Sequence, residues 1–203
     1  LSYNILLLFS TDASIYVSFS PSYIGERLAQ RLGVKFYDRE LISLTAQQSG
    51  LGESTVQESE QTVSGRLMYD DPVQTAVFRA QSQVIRNIAC QEPCVIVGRL
   101  ANFVLKDRPA CLHLFIYANE APRRKRIASE YGVADNRTQS LLKRIDQERR
   151  EHCLHYTGCE WGERHYYHMM LDSSISGDEQ IVETIRNVIR TVSGRKHPNG
   201  RKK

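Results

Sequence analysis

The stretch QTAVFRAQSQVIRNIACQEPCVIVGR, residues 74–99, decides the fold class. Ala76, Val77, Ala80, Val84, Ile85 and Ile88 recur at helical spacing, so residues 74–90 read as one long amphipathic helix. Cys94-Val-Ile-Val97 comes next, a run without a polar member, as expected of a strand covered on both faces. Gly98-Arg99 ends it. A long helix feeding a wholly apolar strand is the signature of a βαβ unit.

The same alternation extends both ways. Towards the N-terminus, Ile5-Leu-Leu-Leu-Phe9 is a second buried-strand run. Ile24, Leu28 and Leu32, joined by Ala29, predict a helix over residues 24–32 that Gly33 ends. Residues 34–37 predict a short strand. Asp38 is placed to cap a helix running to about Gln48, with Leu41, Leu44 and Ala46 partly buried. Residues 50–72 are rich in Ser, Thr, Glu and Gly and predict an irregular excursion with one or two helical turns. Towards the C-terminus, helix is predicted at 101–105, strand at 111–118, two charged helices at 120–131 and 137–153, strand at 169–171 and an amphipathic helix at 178–192. Strands alternating with helices imply right-handed crossovers and a parallel sheet with helices on both faces.

Composition narrows the class. With 203 residues, 41% hydrophobic and 25% charged, the chain suits one soluble domain that needs no disulfide or metal staple. A net charge of +4 is too mild to select a partner. The five cysteines, Cys90, Cys94, Cys111, Cys153 and Cys159, are odd in number and lack a two-residue spacing, which predicts reduced thiols and a cytoplasmic location. Cys153, His155, Cys159, His165 and His168 fit no standard zinc spacing, so no metal centre is expected of them. The apolar run at 5–9 is too short for a signal-peptide core, and no run reaches the ~20 residues of a membrane span.

In parallel α/β sheets, ligands bind beyond the carboxyl ends of the strands. That rule selects residues 10–23, Asp38-Arg39, Gly98-Arg99, 119–126 and 172–174. At two of these points an arginine stands directly beyond a strand, with a planar fork suited to phosphate.

These residues carry a resemblance. Phe36-Tyr-Asp-Arg-Glu-Leu-Ile42, Phe78-Arg-Ala-Gln-Ser82, Glu92-Pro-Cys-Val-Ile-Val-Gly-Arg99, Tyr156-Thr-Gly-Cys-Glu-Trp161 and Ile24-Gly-Glu-Arg-Leu-Ala29 resemble segments of the cytidylate kinase-like family. The resemblance spans roughly residues 22–192. It implies a three-layer P-loop NTPase fold with a five-stranded parallel sheet, a single domain over 1–192 and a helical lid at about 120–165. The implied reaction is ATP-dependent phosphoryl transfer to a nucleoside monophosphate, CMP or dCMP, with Mg2+ bridging the phosphates. Asp38, Arg39 and Arg99 would bind the acceptor. Ser20, Ser22 and Tyr23 would face ATP. On the lid, the Asp146-x-x-Arg149 pair, with Arg144, would meet the transferring charge. Arg123 and Arg126 are expected to be solvated, and Tyr156 and Trp161 to anchor the lid by packing.

One segment departs from the family. Its first loop is a run of glycines, whereas this chain reads Ser18-Phe-Ser-Pro-Ser-Tyr23, and G-x-x-x-x-G-K-[ST] occurs nowhere. A phosphate cradle needs successive N–H groups aimed at the anion; Pro21 has none and Phe19 adds bulk. The alternative reading is therefore a catalytically impaired relative that binds a nucleotide or a protein partner. The basic tail, residues 193–203, reads as a solvated disordered end, with nucleic-acid binding a minor reading and no membrane partner. The oligomeric state is not encoded in any motif.

Overall fold

The computed structural model describes residues 6–11, 21–61 and 72–194. Its strands are β1 (Leu6–Thr11), β2 (Lys35–Tyr37), β3 (Cys94–Val97), β4 (Cys111–Tyr117) and β5 (Met169–Asp172). They pair parallel in the order β2-β3-β1-β4-β5. The helices are α1 (Pro21–Leu32), α2 (Glu40–Ser49), α3 (Glu53–Gln61), α4 (Pro72–Gln91), α5 (Ala101–Val104), α6 (Glu120–Tyr131), α7 (Asp135–Thr157) and α8 (Asp178–Gly194), with a 3-10 turn at Arg164–Tyr166.

Period-two alternation explains the layering. On β3, Val95 and Val97 face one side, where they join Leu114 and Ile116 of β4, Ile24 and Leu28 of α1, and Ile181, Val182 and Ile185 of α8. Cys94 and Ile96 face the other, with Leu41 of α2, Val84, Ile85 and Ile88 of α4, and Ala101. All four β3 residues are buried, as the apolar run required. From β1 the chain passes to β2 and β3 on one side and then to β4 and β5 on the other. The strand order therefore reverses beside β1, where ligand crevices form in such sheets.

Helix α1 starts three residues before the apolar periodicity, at Pro21, whose fixed φ and missing N–H suit a first helical position. It packs close to the sheet at Gly25: a Cβ there would lie 2.9 Å from Phe36 Cε2 and 3.0 Å from Val97 Cγ2. Its outer face pairs with α8 through Arg27–Glu179 at 3.0 Å and through Arg31 with Glu179 and Glu183.

Several local expectations need correction. The excursion at 50–72 contains the nine-residue α3, held by fully buried Val56 against Ala46 and Val77. One valine in a polar stretch gave no periodicity to read. Ala76 is not among the buried residues, because α4 turns its Val77–Val84–Ile88 stripe inward. Helix α7 runs four residues past Cys153, to Thr157, and stops at Gly158 (φ 69°), whose N–H donates to Leu154 O at 2.8 Å. Residues 12–20, which include Ser18, Phe19 and Ser20 of the glycine-free loop, and the basic tail from residue 195 lie outside the described residues.

Candidate functional site

At the carboxyl end of β2, Asp38 was expected to cap α2. Instead the residue before α2 is Arg39, which makes no side-chain cap, and the Asp38 carboxylate accepts the Ser22 hydroxyl at 2.8 Å. The competing partner wins because α1 brings Ser22, in its first turn, over the strand end. Arg39 has ordinary helical backbone (φ −67°) and is exposed. Tyr23, next along α1, is half-buried.

The end of β3 is built differently. Gly98 (φ 74°), Arg99 (φ 58°) and Leu100 (φ 52°) are all left-handed. For residues with a Cβ this conformation costs roughly 1–2 kcal/mol each, and such strain gathers where function requires a fixed direction. A short turn comes next, with Ala101 N–H on Gly98 O at 3.1 Å and Val104 N–H on Leu100 O at 3.0 Å. The Arg99 side chain is half-buried and its Nε fully so.

The C-terminal half of α7 packs its aromatic face on α4. Tyr156 stacks on Phe78 of α4 with ring centroids 4.1 Å apart, and His152 meets Phe78 edge-on at 6.5 Å and Tyr156 at 4.8 Å. Burial, with smaller contributions from the Arg99 charge and from His155, pulls His152 down to about 4. The ring is therefore neutral near pH 7.

The hairpin of α6 and α7 carries the remaining candidates. Arg123 Nη1 donates to Asp146 Oδ2 at 3.0 Å and Nη2 to Oδ1 at 2.6 Å, with the two side chains only 12% and 15% exposed. This corrects the expectation that Arg123 is solvated, and it engages both Asp146 oxygens away from Arg149. The guanidinium of Arg149 lies 5.8 Å from the Trp161 ring centroid, and Trp161 packs edge-on against Phe115 of β4 at 5.5 Å. Arg144 is exposed and lies 3.6 Å from Glu148, the i,i+4 pairing of a solvated face. Glu148 itself is buried, and burial raises its carboxyl above the ordinary range.

The structure thus joins Ser22 to Asp38 and Arg123 to Asp146, and leaves Arg39 and Arg144 at the surface. Sequence reasoning missed His152 and Arg123. His152 stands four residues before Tyr156, on the same helix face, which was a usable signal. Arg123 and Asp146 are 23 residues apart, and no local spacing links them.

The segments brought together here, around Phe78, Arg99 and Tyr156, belong to one pattern: the model of the cytidylate kinase-like family matches residues 20–175. The chain belongs to the cytidylate kinase-like family. The family match begins at residue 20, inside the glycine-free loop, and its general chemistry is nucleotide-binding phosphoryl transfer. No curated protein matches the chain. Among solved structures, an uncharacterised protein from Eubacterium ventriosum ATCC 27560 superposes with a TM-score of 0.70 at 20% identity, over 93% of this chain and 99% of that one. Shikimate kinase from Bacteroides thetaiotaomicron gives 0.56 at 13% identity, over 92% and 98%. Shikimate kinase from Acinetobacter baumannii, solved with shikimate, gives 0.53 at 11% identity, over 93% and 95%. At these identities the likeness establishes a common α/β kinase-like fold for the cytidylate kinase-like chain. Among the described residues, no helix is long and apolar enough to cross a membrane.

Proposed function

We propose that the chain transfers the γ-phosphoryl group of ATP to a nucleoside monophosphate, with cytidylate (CMP or dCMP) as the acceptor. The observation that carries this is Arg99, held in a left-handed turn at the end of β3 with its Nε buried. Its fork takes the acceptor phosphate, with Asp38 beside it and Arg39 reaching in from solvent. Ser22 and Tyr23, in the first turn of α1, face the donor phosphates with the positive end of the helix dipole, and Ser20 precedes them in the sequence. Residues 120–165 act as the lid of a single domain spanning 1–192, and Arg149 and Arg144 bring positive charge to the transferring group. Asp146 has both its oxygens engaged by Arg123. The protein works in the cytoplasm.

Magnesium prefers hard oxygen ligands and keeps most of its waters. The Ser22 hydroxyl and Asp38 carboxylate, 2.8 Å apart, are such donors and would hold it. When bound, the ion neutralises phosphate charge. Catalysis rests on positioning and charge, without a covalent intermediate.

The test is an assay of purified protein with ATP and magnesium against CMP, dCMP, UMP and AMP. ADP release that depends on CMP or dCMP is expected. ADP release unaffected by all four acceptors would overturn the proposal.

A further inference from the structure

We propose that Arg123 is a positioning residue: by occupying both oxygens of Asp146, it keeps that carboxylate from capturing Arg149. The inference rests on the functional reading above only in making Arg149 the cation the reaction needs; the placement itself is a question of charge and geometry.

Asp146 and Arg149 are three residues apart on α7, where Cβ atoms stand about 5–6 Å from one another and opposite charges pair readily. In the structure they do not pair. Both Asp146 oxygens accept from Arg123 of α6, in a fork–fork geometry at 3.0 and 2.6 Å, and Arg149 lies over Trp161. The clamp is far more enclosed than the ion pairs between α1 and α8, whose side chains are 34–48% exposed.

Without the Arg123 guanidinium, Asp146 becomes a largely enclosed carboxylate in need of a cation. Lys143 and Arg150 are also within reach along the helix, but both are exposed. Pairing in water is worth little, whereas Arg149 is half-buried and offers the stronger interaction at lower effective dielectric. Capture swings its guanidinium from Trp161 towards α6. Neutralising Asp146 in the same chain removes the captor. A purely structural clamp behaves in the opposite way: losing the second partner returns nothing.

Trp161 is the only tryptophan in the chain, so its emission reports whether Arg149 covers it, independently of any turnover. R149A defines the uncovered spectrum. We expect R123A to shift towards that spectrum and R123A/D146N to return to the wild-type one. In the kinase assay, kcat of R123A should fall about tenfold with little change in acceptor KM, and the double variant should recover most of the loss, within the range of coupling found for neighbouring residues. R123Q retains side-chain bulk and carries the same tests if R123A does not fold by circular dichroism. A wild-type spectrum in R123A or R123Q, or a double variant that stays uncovered, overturns the proposal. Restored emission with no turnover in any protein, wild type included, sinks the kinase reading and leaves the clamp standing.

Discussion

Two strand ends of this molecule look alike in sequence and differ in structure. Tyr37-Asp38-Arg39 and Val97-Gly98-Arg99 each place an arginine two residues beyond a strand. After β2 the chain enters α2 at once, so Arg39 takes ordinary helical backbone and leaves its charge in water. After β3 three left-handed residues intervene, and the Arg99 Nε is buried. The difference lies in the backbone that leaves each strand. Helix entry stores no strain and fixes no direction, whereas a left-handed turn stores strain and aims one side chain.

The largest expected effect comes from that contrast. Arg99→Ala should weaken CMP binding by roughly 1.5–3 kcal/mol, the range for hydrogen bonds to a charged group, or about 10- to 150-fold. Calorimetric titration of CMP onto both proteins measures it, and equal affinities would remove Arg99 from the site.

A pH effect sharpens the comparison, because the Arg99 charge at the β3 end contributes to lowering His152. His152 and buried His113 are both lowered from 6.5 to about 4, chiefly by burial. In the unfolded chain these imidazoles take up protons below about pH 6.5, while the folded chain resists until about pH 4. Their contribution to stability is therefore complete above pH 6.5 and is lost progressively as pH falls towards 4. Urea midpoints at pH 7.5, 5.5 and 4.5 should decline, and His152→Leu should flatten the decline. An unchanged slope in that variant would mean that His152 is not held neutral.

Gly98→Ala probes the turn itself. Nothing lies within 4 Å of a Cβ built at Gly98, so the substitution meets only the left-handed backbone. A loss of about 1–2 kcal/mol in urea denaturation is expected; no loss would mean that the turn relaxes and Arg99 is not aimed by it. The smallest effect belongs to Arg39→Ala. An exposed charge contributes about 0–1 kcal/mol, so CMP affinity should change about fivefold or less. A loss as large as that of Arg99→Ala would break the contrast between the two strand ends.

The sheet and its two helical layers were legible because each apolar strand and helix stripe repeats at its own period. Val95 and Val97 against Cys94 and Ile96 is such a case. The place of Arg99 just beyond a strand was legible for a related reason: strand ends can be read locally. Pairing across distance could not be read. Asp38 had a sound local role as a cap, and a serine brought by another helix displaced it. Asp146 had Arg149 within its own helix, yet Arg123 from α6 took both oxygens. Val56 was hidden because one buried residue has no period. For Asp38 and Asp146 a tertiary partner outcompeted a local one, and local spacing holds no record of that competition.

The outermost strand β5 has a property that its four residues do not announce. Just before it, His168 N–H donates to His113 O at 2.8 Å, while His168 Nδ1 accepts the His113 N–H at 2.9 Å. Just beyond it, Ser173 gives both its N–H and its hydroxyl to Tyr117 O, at 2.7 and 3.0 Å. The strand is buttoned at both ends to its single neighbour. An edge strand ordinarily exchanges its amide hydrogens early, through fraying from the tips inward. Here the tips are the fastened parts, so the His113 and Ser173 amides should retain protium in deuterated buffer longer than the amides of β2, the opposite edge. Because α8 comes after β5 and supplies Ile181, Val182 and Ile185 to the core, the buttons also tether that helix. The last stretch of the sheet and its covering helix are thereby set to open as one unit.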